Sequence, residues 1–402
     1  MQRTDWAERH VEDFLSLPLV REFVYRSPMA MMGNTKKEVG DILCQLDSSA
    51  FLISQKCQQE PGTRSKEKEE LWVKREARNG AKQLTGALRT GHTRPMWCQH
   101  SRLGRVEFPN GLPAIKHGIV LVETLETIVL DKDEKAYPQS YKGTSISYLG
   151  LNDFLNLAFL LRTLPELMEY LDARSKLDST ILRAIGIEKM LYETYQLQSG
   201  SFKNINTVVD VIDFVLIREA AIKELYEKHK HTFGYAAIVE HVSDALAERD
   251  PALPKEIEYY FEPVNERKGY RELQTVLANT RLGERIIIGQ TLHDMRVSME
   301  RQDEGMVMCS RRFDSLPNIV FVVGVWKKLD RKDLPSVLQT LVRAAKAFYG
   351  KSTGFGVFDR DGDGYDVQMY RSTDPPTAEE IAAGKKFFGH LKVDSRPIGM
   401  LG

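Results

Sequence analysis

Two short apolar runs, Ile42–Leu46 and Phe51–Ile53, are separated by little more than Asp47-Ser48-Ser49. Asp and Ser side chains bond the local backbone and favour reversal, so the pair reads as two β-strands joined by a tight turn. A helix is expected next, from about Glu67 to Arg89, with Leu71, Ala77, Ala81, Leu84, Ala87 and Leu88 as its apolar stripe; strand candidates return at Arg105–Phe108 and His117–Val122. Strand and helix candidates in alternation read as the fold class α/β. Ahead of the hairpin a helix is expected from Asp5 to about Tyr25, kinked at Pro18, and then a loop through residues 27–40.

Helical periodicity dominates from Leu151 to about Lys176, where Pro165 begins a second helix, and from Ser179 to Arg249, with an interruption near Ser199–Asn204. The breaker Asp250-Pro251-Ala252-Leu253-Pro254 then marks a boundary. Three parts are expected: an α/β domain over residues 1–150, a helical connector over 151–250, and a C-terminal α+β domain over 255–402. The last part carries a strand at Ile319–Trp326, a helix running to Tyr349, a hairpin around Gly354–Tyr370, and a helix opened by a Thr377/Glu380 capping box.

Glu38-Val39-Gly40-Asp41 stands at the mouth of the first hairpin strand and Ser54-Gln55-Lys56 at the end of the second, so an antiparallel turn brings Asp41 toward Lys56. A carboxylate beside a lysine suits metal-assisted phosphodiester hydrolysis: the acid holds a divalent cation, and the ammonium orients water or offsets developing negative charge. These pieces, Gly40-Asp41, then Phe51-Leu-Ile-Ser-Gln-Lys56, then a helix carrying Gln83-Leu84, resemble the PD-(D/E)XK nuclease superfamily. They are also similar to a group of uncharacterised bacterial proteins with an ExxD, FS(D/E)K and W…QLxGAxR pattern, here Glu38…Asp41, Ile53-Ser54-Gln55-Lys56 and Trp72…Gln83-Leu84-Thr85-Gly86-Ala87-Leu88-Arg89. The resemblance covers about the first 180 residues. It implies a restriction-endonuclease-like fold and a nuclease using Mg²⁺ or Mn²⁺, in bacterial defence or DNA processing. Asp41, Gln55, Lys56, Glu38 and Gln83 would form the catalytic set, with Asp41, Glu38 and Gln55 on the metal.

The chain departs from that pattern in one place: where an acid is expected it has Ser54 two residues before Lys56 and Gln55 adjoining it. A neutral amide can ligate a cation but supplies no charge. The second reading is therefore a catalytically degenerate nucleic-acid-binding or assembly subunit, and a third is a protein-interaction scaffold. From Gly62 to Arg105 eleven basic residues face four acidic ones, although Lys+Arg and Asp+Glu balance at 56 each over the chain. That surplus, with Lys74, Arg75, Arg78, Lys82 and Arg89 on the expected helix, is suited to a phosphate backbone, DNA before RNA, and a homodimer would match the two-fold symmetry of a duplex.

Other chemistries find little purchase. Asp359-Arg-Asp361-Gly-Asp363-Gly364 mimics a calcium loop but has Tyr370 where the bidentate Glu belongs, so it reads as a tight acidic hairpin. Cys44, Cys57, Cys98 and Cys309 form no CxxC pair, and neither GxSxG nor a Walker spacing occurs. The N-terminus lacks a signal peptide's apolar core and no apolar run is long enough to span a bilayer, so a cytoplasmic protein without membrane contact is expected.

Overall fold

Asp47 and Ser48 turn the chain as their chemistry requires: Asp47 adopts φ 51°, a left-handed conformation that its short polar side chain tolerates. The hairpin formed is β3 (Ile42–Leu46) and β4 (Ser49–Lys56), with Ile42 opposite Ile53 and Leu46 opposite Ser49. The computed structural model describes residues 21–248 and 266–389 except 33–34, 59–61, 92–93, 102–103, 303, 329–333 and 361, together with residues 8, 10–12 and 15. The breaker at 250–254 lies outside the described residues. The chain divides into two compact units, residues 1–227 and 228–402.

The first unit is built on a nine-stranded mixed sheet. Its strands are β1 (Val24–Met32), β2 (Thr35–Glu38), β3, β4, β5 (Met96–His100), β6 (Gly104–Phe108), β7 (Ile115–Val122), β9 (Ser140–Tyr141) and β10 (Thr144–Gly150); β8 (Ile128–Val129) belongs to a separate two-stranded ribbon. The order is β6-β5-β1-β3-β4-β7-β10-β9, with β2 on β1. β3 runs antiparallel to both its neighbours, β1 and β4, while β4, β7 and β10 are parallel. β4 and β7 are buried almost throughout, as central parallel strands covered on both faces should be.

Helix α1 (Lys66–Gly91) follows β4 and packs on β4 and β7. Its buried face is Val73, Ala77, Gly80, Ala81, Leu84, Ala87 and Leu88, whereas Leu71 is exposed. Small residues set the distance: a Cβ on Gly80 would stand 2.6 Å from Val120 Cγ1, and one on Gly118 would stand 3.2 Å from Leu84 Cδ1. After β10 come α2 (Leu151–Leu161) and α3 (Leu164–Arg174). The Thr163 hydroxyl caps α3 by accepting the Glu166 N–H, with Pro165 in the first turn, where its missing N–H costs nothing. α4 (Ser179–Leu182), β11 (Ala184–Ile185), α5 (Glu188–Leu197) and α6 (Val208–Ile217) follow; α7 (Glu219–Glu248) runs across the division. The helices expected as a connector thus fall, up to residue 227, within the first unit.

Two expectations before the hairpin need correction. Residues 8, 10–12 and 15 are helical, but Arg21–Phe23 is a 3₁₀ turn and Tyr25 already lies in β1. The expected loop over 27–40 is largely strand: β1 pairs β5 on one edge and β3 then β2 on the other. Pro28 is tolerated because it falls at a bulge, between the Arg26 and Met29 pairs, where the ladder asks no N–H of it.

The second unit carries α8 (Glu266–Ala278), α9 (Leu282–Met299) and a sheet β12-β13-β14-β15 (Gly305–Arg312, Ile319–Lys327, Thr353–Asp359, Tyr365–Arg371). α10 (Leu334–Tyr349) connects the parallel pair β13 and β14, and α11 (Ala378–Phe388) begins with the Thr377/Glu380 capping box. Asp359 is buried and accepts hydrogen bonds from Arg296 and from the Gly362 N–H (2.8 Å). Its carboxylate is therefore committed to α9 and to the hairpin's own turn. Among the described residues no helix is long and apolar enough to cross a membrane.

Candidate active site

β2 and β3 run along the same edge of β1 and are broken only at Val39-Gly40-Asp41. The break is pinned from both sides: Val39 N–H donates to Pro28 O (2.8 Å), Asp41 N–H to Ile53 O (3.1 Å), and Ser27 N–H to Asp41 O (2.9 Å). Glycine at position 40 leaves room for Leu52, whose Cδ1 would stand 2.9 Å from a Cβ there. This geometry aims the Asp41 carboxylate at the end of β4, where Oδ2 accepts the backbone N–H of Gln55 and Oδ1 accepts Gln83 Nε2 at 3.1 Å.

Gln83 of α1 is the hub. Its Oε1 accepts Lys56 Nζ at 2.6 Å and Ser54 Oγ at 2.9 Å, while its Nε2 serves Asp41. Chemistry sets the amide's orientation, since only the oxygen can accept from an ammonium and only the nitrogen can donate to a carboxylate. The structure thus brings Asp41, Lys56 and Gln83 together as the sequence order suggests. It brings Ser54 into the same cluster.

Gln55 is placed differently. Side chains alternate across a strand, so if Ser54 and Lys56 face α1, Gln55 faces away. Its Nε2 donates to Cys57 Sγ (3.1 Å), its Oε1 is buried without a hydrogen-bond partner, and only its backbone N–H reaches Asp41. Glu38 ends β2, and Val39 turns into the core.

Burial raises the pKa of Asp41, against the pull of the Lys56 charge, the Gln55 N–H and Gln83. Glu38 is exposed as a residue, yet partial burial of its carboxyl and then the negative charge of Asp41 raise its pKa too, opposed by a Ser27 hydrogen bond and by Lys56. Carboxylate oxygens are hard donors of the kind divalent cations take. Among the described residues no third His, Cys, Asp or Glu completes a metal cluster.

The chain has no match among protein-family models, curated proteins or solved structures.

Of the five basic residues expected to meet a phosphate backbone, two already have carboxylate partners. Lys74 pairs with Glu70 (2.8 Å) and Asp131 (3.1 Å), and Arg75 with Glu76 (2.8 Å). Arg78, Lys82 and Arg89 are exposed along one stripe of α1, at i, i+4 and i+11, on the side away from the buried face. Sequence reasoning also passed over Glu123, whose N–H donates to Lys56 O (2.9 Å) and whose carboxylate accepts Gln58 N–H (2.8 Å). Its signal was an acid directly following the apolar run of β7.

Proposed function

We propose that Asp41, Gln83 and Lys56 form the centre of a divalent-metal-dependent nuclease of the PD-(D/E)XK type. The observation that carries this reading is the amide of Gln83, which joins the acid of one strand break to the lysine of the adjacent strand through hydrogen bonds of 3.1 and 2.6 Å. The chain order β1-β2-β3-β4-α1-β5-β6-β7, with an acid before β3, a lysine ending β4 and a glutamine on α1, supports it. Asp41 and Glu38 would hold the cation, whose chemistry there is to polarise a phosphate oxygen. Lys56 provides a positive charge beside the reacting phosphate and can orient a water toward it. Gln83 keeps the ammonium aimed, and the Ser54 hydroxyl holds the amide from its other side.

A second reading, a nucleic-acid-binding subunit of the same architecture without turnover, draws on one observation. The position that faces the cluster two residues before Lys56 is Ser54, so among the described residues the site has two acids and not three. The two readings separate when the protein and its Asp41→Asn and Lys56→Met variants are incubated with single- and double-stranded DNA and RNA in Mg²⁺, in Mn²⁺ and in EDTA. The nuclease reading expects metal-dependent cleavage lost in both variants, with calorimetric cation binding lost only in Asp41→Asn. Nucleic-acid binding without cleavage in either metal favours the second reading.

A further inference from the structure

In the second unit, α10 contains no acidic residue, and Arg343 and Lys346, three apart, are neighbours on its surface. Both reach over β15, the edge strand of that sheet. Directly opposed residues share a sheet face, and Gly354 and Gly356 of β14 stand opposite Tyr370 and Gln368 of β15. The two glycines let α10 settle on β14: a Cβ on Gly354 would stand 2.5 Å from the Val342 carbonyl oxygen, and one on Gly356 would stand 2.7 Å from Val342 Cγ2. A helix seated that closely leaves Lys346 only 4% exposed.

The two cations share one aromatic ring. Arg343 Cζ lies 4.3 Å and Lys346 Nζ 5.3 Å from the centroid of Tyr370, so the charges are no more than about 10 Å apart, a separation at which salt screens like-charge repulsion only in part. No carboxylate offsets them. Among the described residues neither Arg343 nor Lys346 has an Asp or Glu at ion-pair distance, and the buried Nε of Arg343 has no hydrogen-bond partner. The one acid of β15, Asp366, is taken up by Trp326 Nε1 (3.1 Å) and by Arg360 (3.9 Å). The face of a single tyrosine carries a quadrupole and no net charge, so the pair stays uncompensated.

We infer that Arg343 and Lys346, held on the Tyr370 ring, form a binding site for a phosphate dianion, either free phosphate or a phosphate monoester. Two unpaired positive charges call for a doubly charged ligand, and a phosphate monoester carries about −1.5 to −2 near neutral pH. The guanidinium presents a fork of N–H donors and the ammonium a mobile point charge, a combination that serves several oxygens of one tetrahedral group. The site lies wholly within the second unit and is independent of the nuclease reading.

The test uses the full chain in EDTA at fixed ionic strength, titrated calorimetrically with inorganic phosphate and with phenyl phosphate, and unfolded by heat with and without each. Saturable binding is expected, and the tighter of the two probes tells free phosphate from an ester. Arg343→Gln and Lys346→Met should each weaken binding at least roughly tenfold, the loss of one charge-assisted hydrogen bond, while Lys346→Arg should retain most of it. A second readout separates binding from packing. Without ligand, Lys346→Met should unfold at the parent's temperature or above, because it keeps the buried stem and removes a repelling charge, and phosphate should no longer raise its midpoint. Absence of saturable binding, or unchanged affinity in both Arg343→Gln and Lys346→Met, overturns the site. So does an oligothymidylate without a terminal phosphate that displaces phenyl phosphate at equal phosphate concentration, since the ligand is then a diester backbone. Should Lys346→Met fail to fold, unchanged affinity in Arg343→Gln alone overturns the site.

Discussion

Replacing Gln83 with Leu removes the hub at nearly constant volume, and leucine is at least as good a helix former, so α1 itself is not weakened. Three groups lose a partner. Ser54 is fully buried, and its stranded hydroxyl costs about 1–3 kcal/mol. Asp41 keeps the Gln55 N–H but loses a hydrogen bond to a charged group, worth about 1.5–3 kcal/mol. Lys56 is half-buried and its ammonium can turn to water, so its share adds little. Allowing for non-additivity, unfolding by urea should show a loss of about 2–5 kcal/mol near neutral pH, a large part of an ordinary domain's stability. The pH dependence has a sign. The pKa of Asp41 is raised in the folded protein, so between its ordinary value of 3.8 and the raised value the native state binds more protons than the unfolded chain. Stability therefore falls as pH rises through that window, and Gln83→Leu, which removes a group that lowers this pKa, should steepen and extend the fall. In a double-mutant cycle with Asp41→Asn the two substitutions should couple by at least ~0.5 kcal/mol. Urea midpoints for Gln83→Leu unchanged across pH, with no coupling, would refute the hub.

Adding a carboxylate at position 54 should increase Mg²⁺ affinity in calorimetric titration and protect against urea when the cation is present, whereas Gln55→Glu should do neither, because its side chain turns to Cys57; equal responses at the two positions would contradict the strand parity. Reversing Arg78, Lys82 and Arg89 together should reduce the log–log salt slope of duplex binding by about 0.9 for each phosphate that these side chains neutralise, and an unchanged slope would take α1 out of the nucleic-acid surface. Gly80→Ala should destabilise by about 1–3 kcal/mol despite alanine's better helix propensity, since its Cβ would press on Val120; a neutral or stabilising effect would show that α1 can back away from β7. Buried His117, paired with Asp172 at 2.9 Å, has a pKa lowered by burial in spite of that neighbour, so the unfolded chain binds the extra proton first and stability should drop as pH falls below about 6.5; His117→Phe should flatten this part of the curve, and an identical pH profile would place the effect elsewhere.

What could be seen in the sequence was what local chemistry decides. The β3–β4 hairpin announced itself through Asp47 and Ser48, α1 through its small apolar stripe, and α11 through its capping box. β1 and β2 were hidden for the opposite reason. VYRSPMAMM and TKKE show no clean alternation, and they become strands because β1 is paired along both edges and β2 extends the ladder toward Asp41. α8, α9 and β12 were likewise passed over. Within the site, Asp41, Lys56 and Gln83 could be named because their order in the chain is the order in which the strand break, the strand end and the helix arrive at one place. Glu123, which flanks the site with its carboxylate on Gln58, was passed over because only the parallel pairing of β7 with β4 brings its backbone beside Lys56.

Position 54 shows how far strand physics alone can arbitrate between two similar motif frames. A lysine at the end of β4 that reaches Gln83 fixes which face of the strand serves the site, and a period of two then assigns Ser54 to that face and Gln55 to the other. Among the described residues the site is consequently anionic by two carboxylates, not three, and one of them, Glu38, sits on an exposed strand across the break from Asp41. On the nuclease reading such a pair would hold a cation less tightly than a three-acid set, so occupancy would depend more on what else brings negative charge to the site. A nucleic-acid phosphate is the group that this reading supplies. Cation and nucleic acid should therefore bind cooperatively, each tightening the other by the same factor. Calorimetric Mg²⁺ titrations of the Lys56→Met variant, with and without a non-cleavable oligonucleotide, measure that factor. A value of one would mean that the two acids alone set the affinity for the metal.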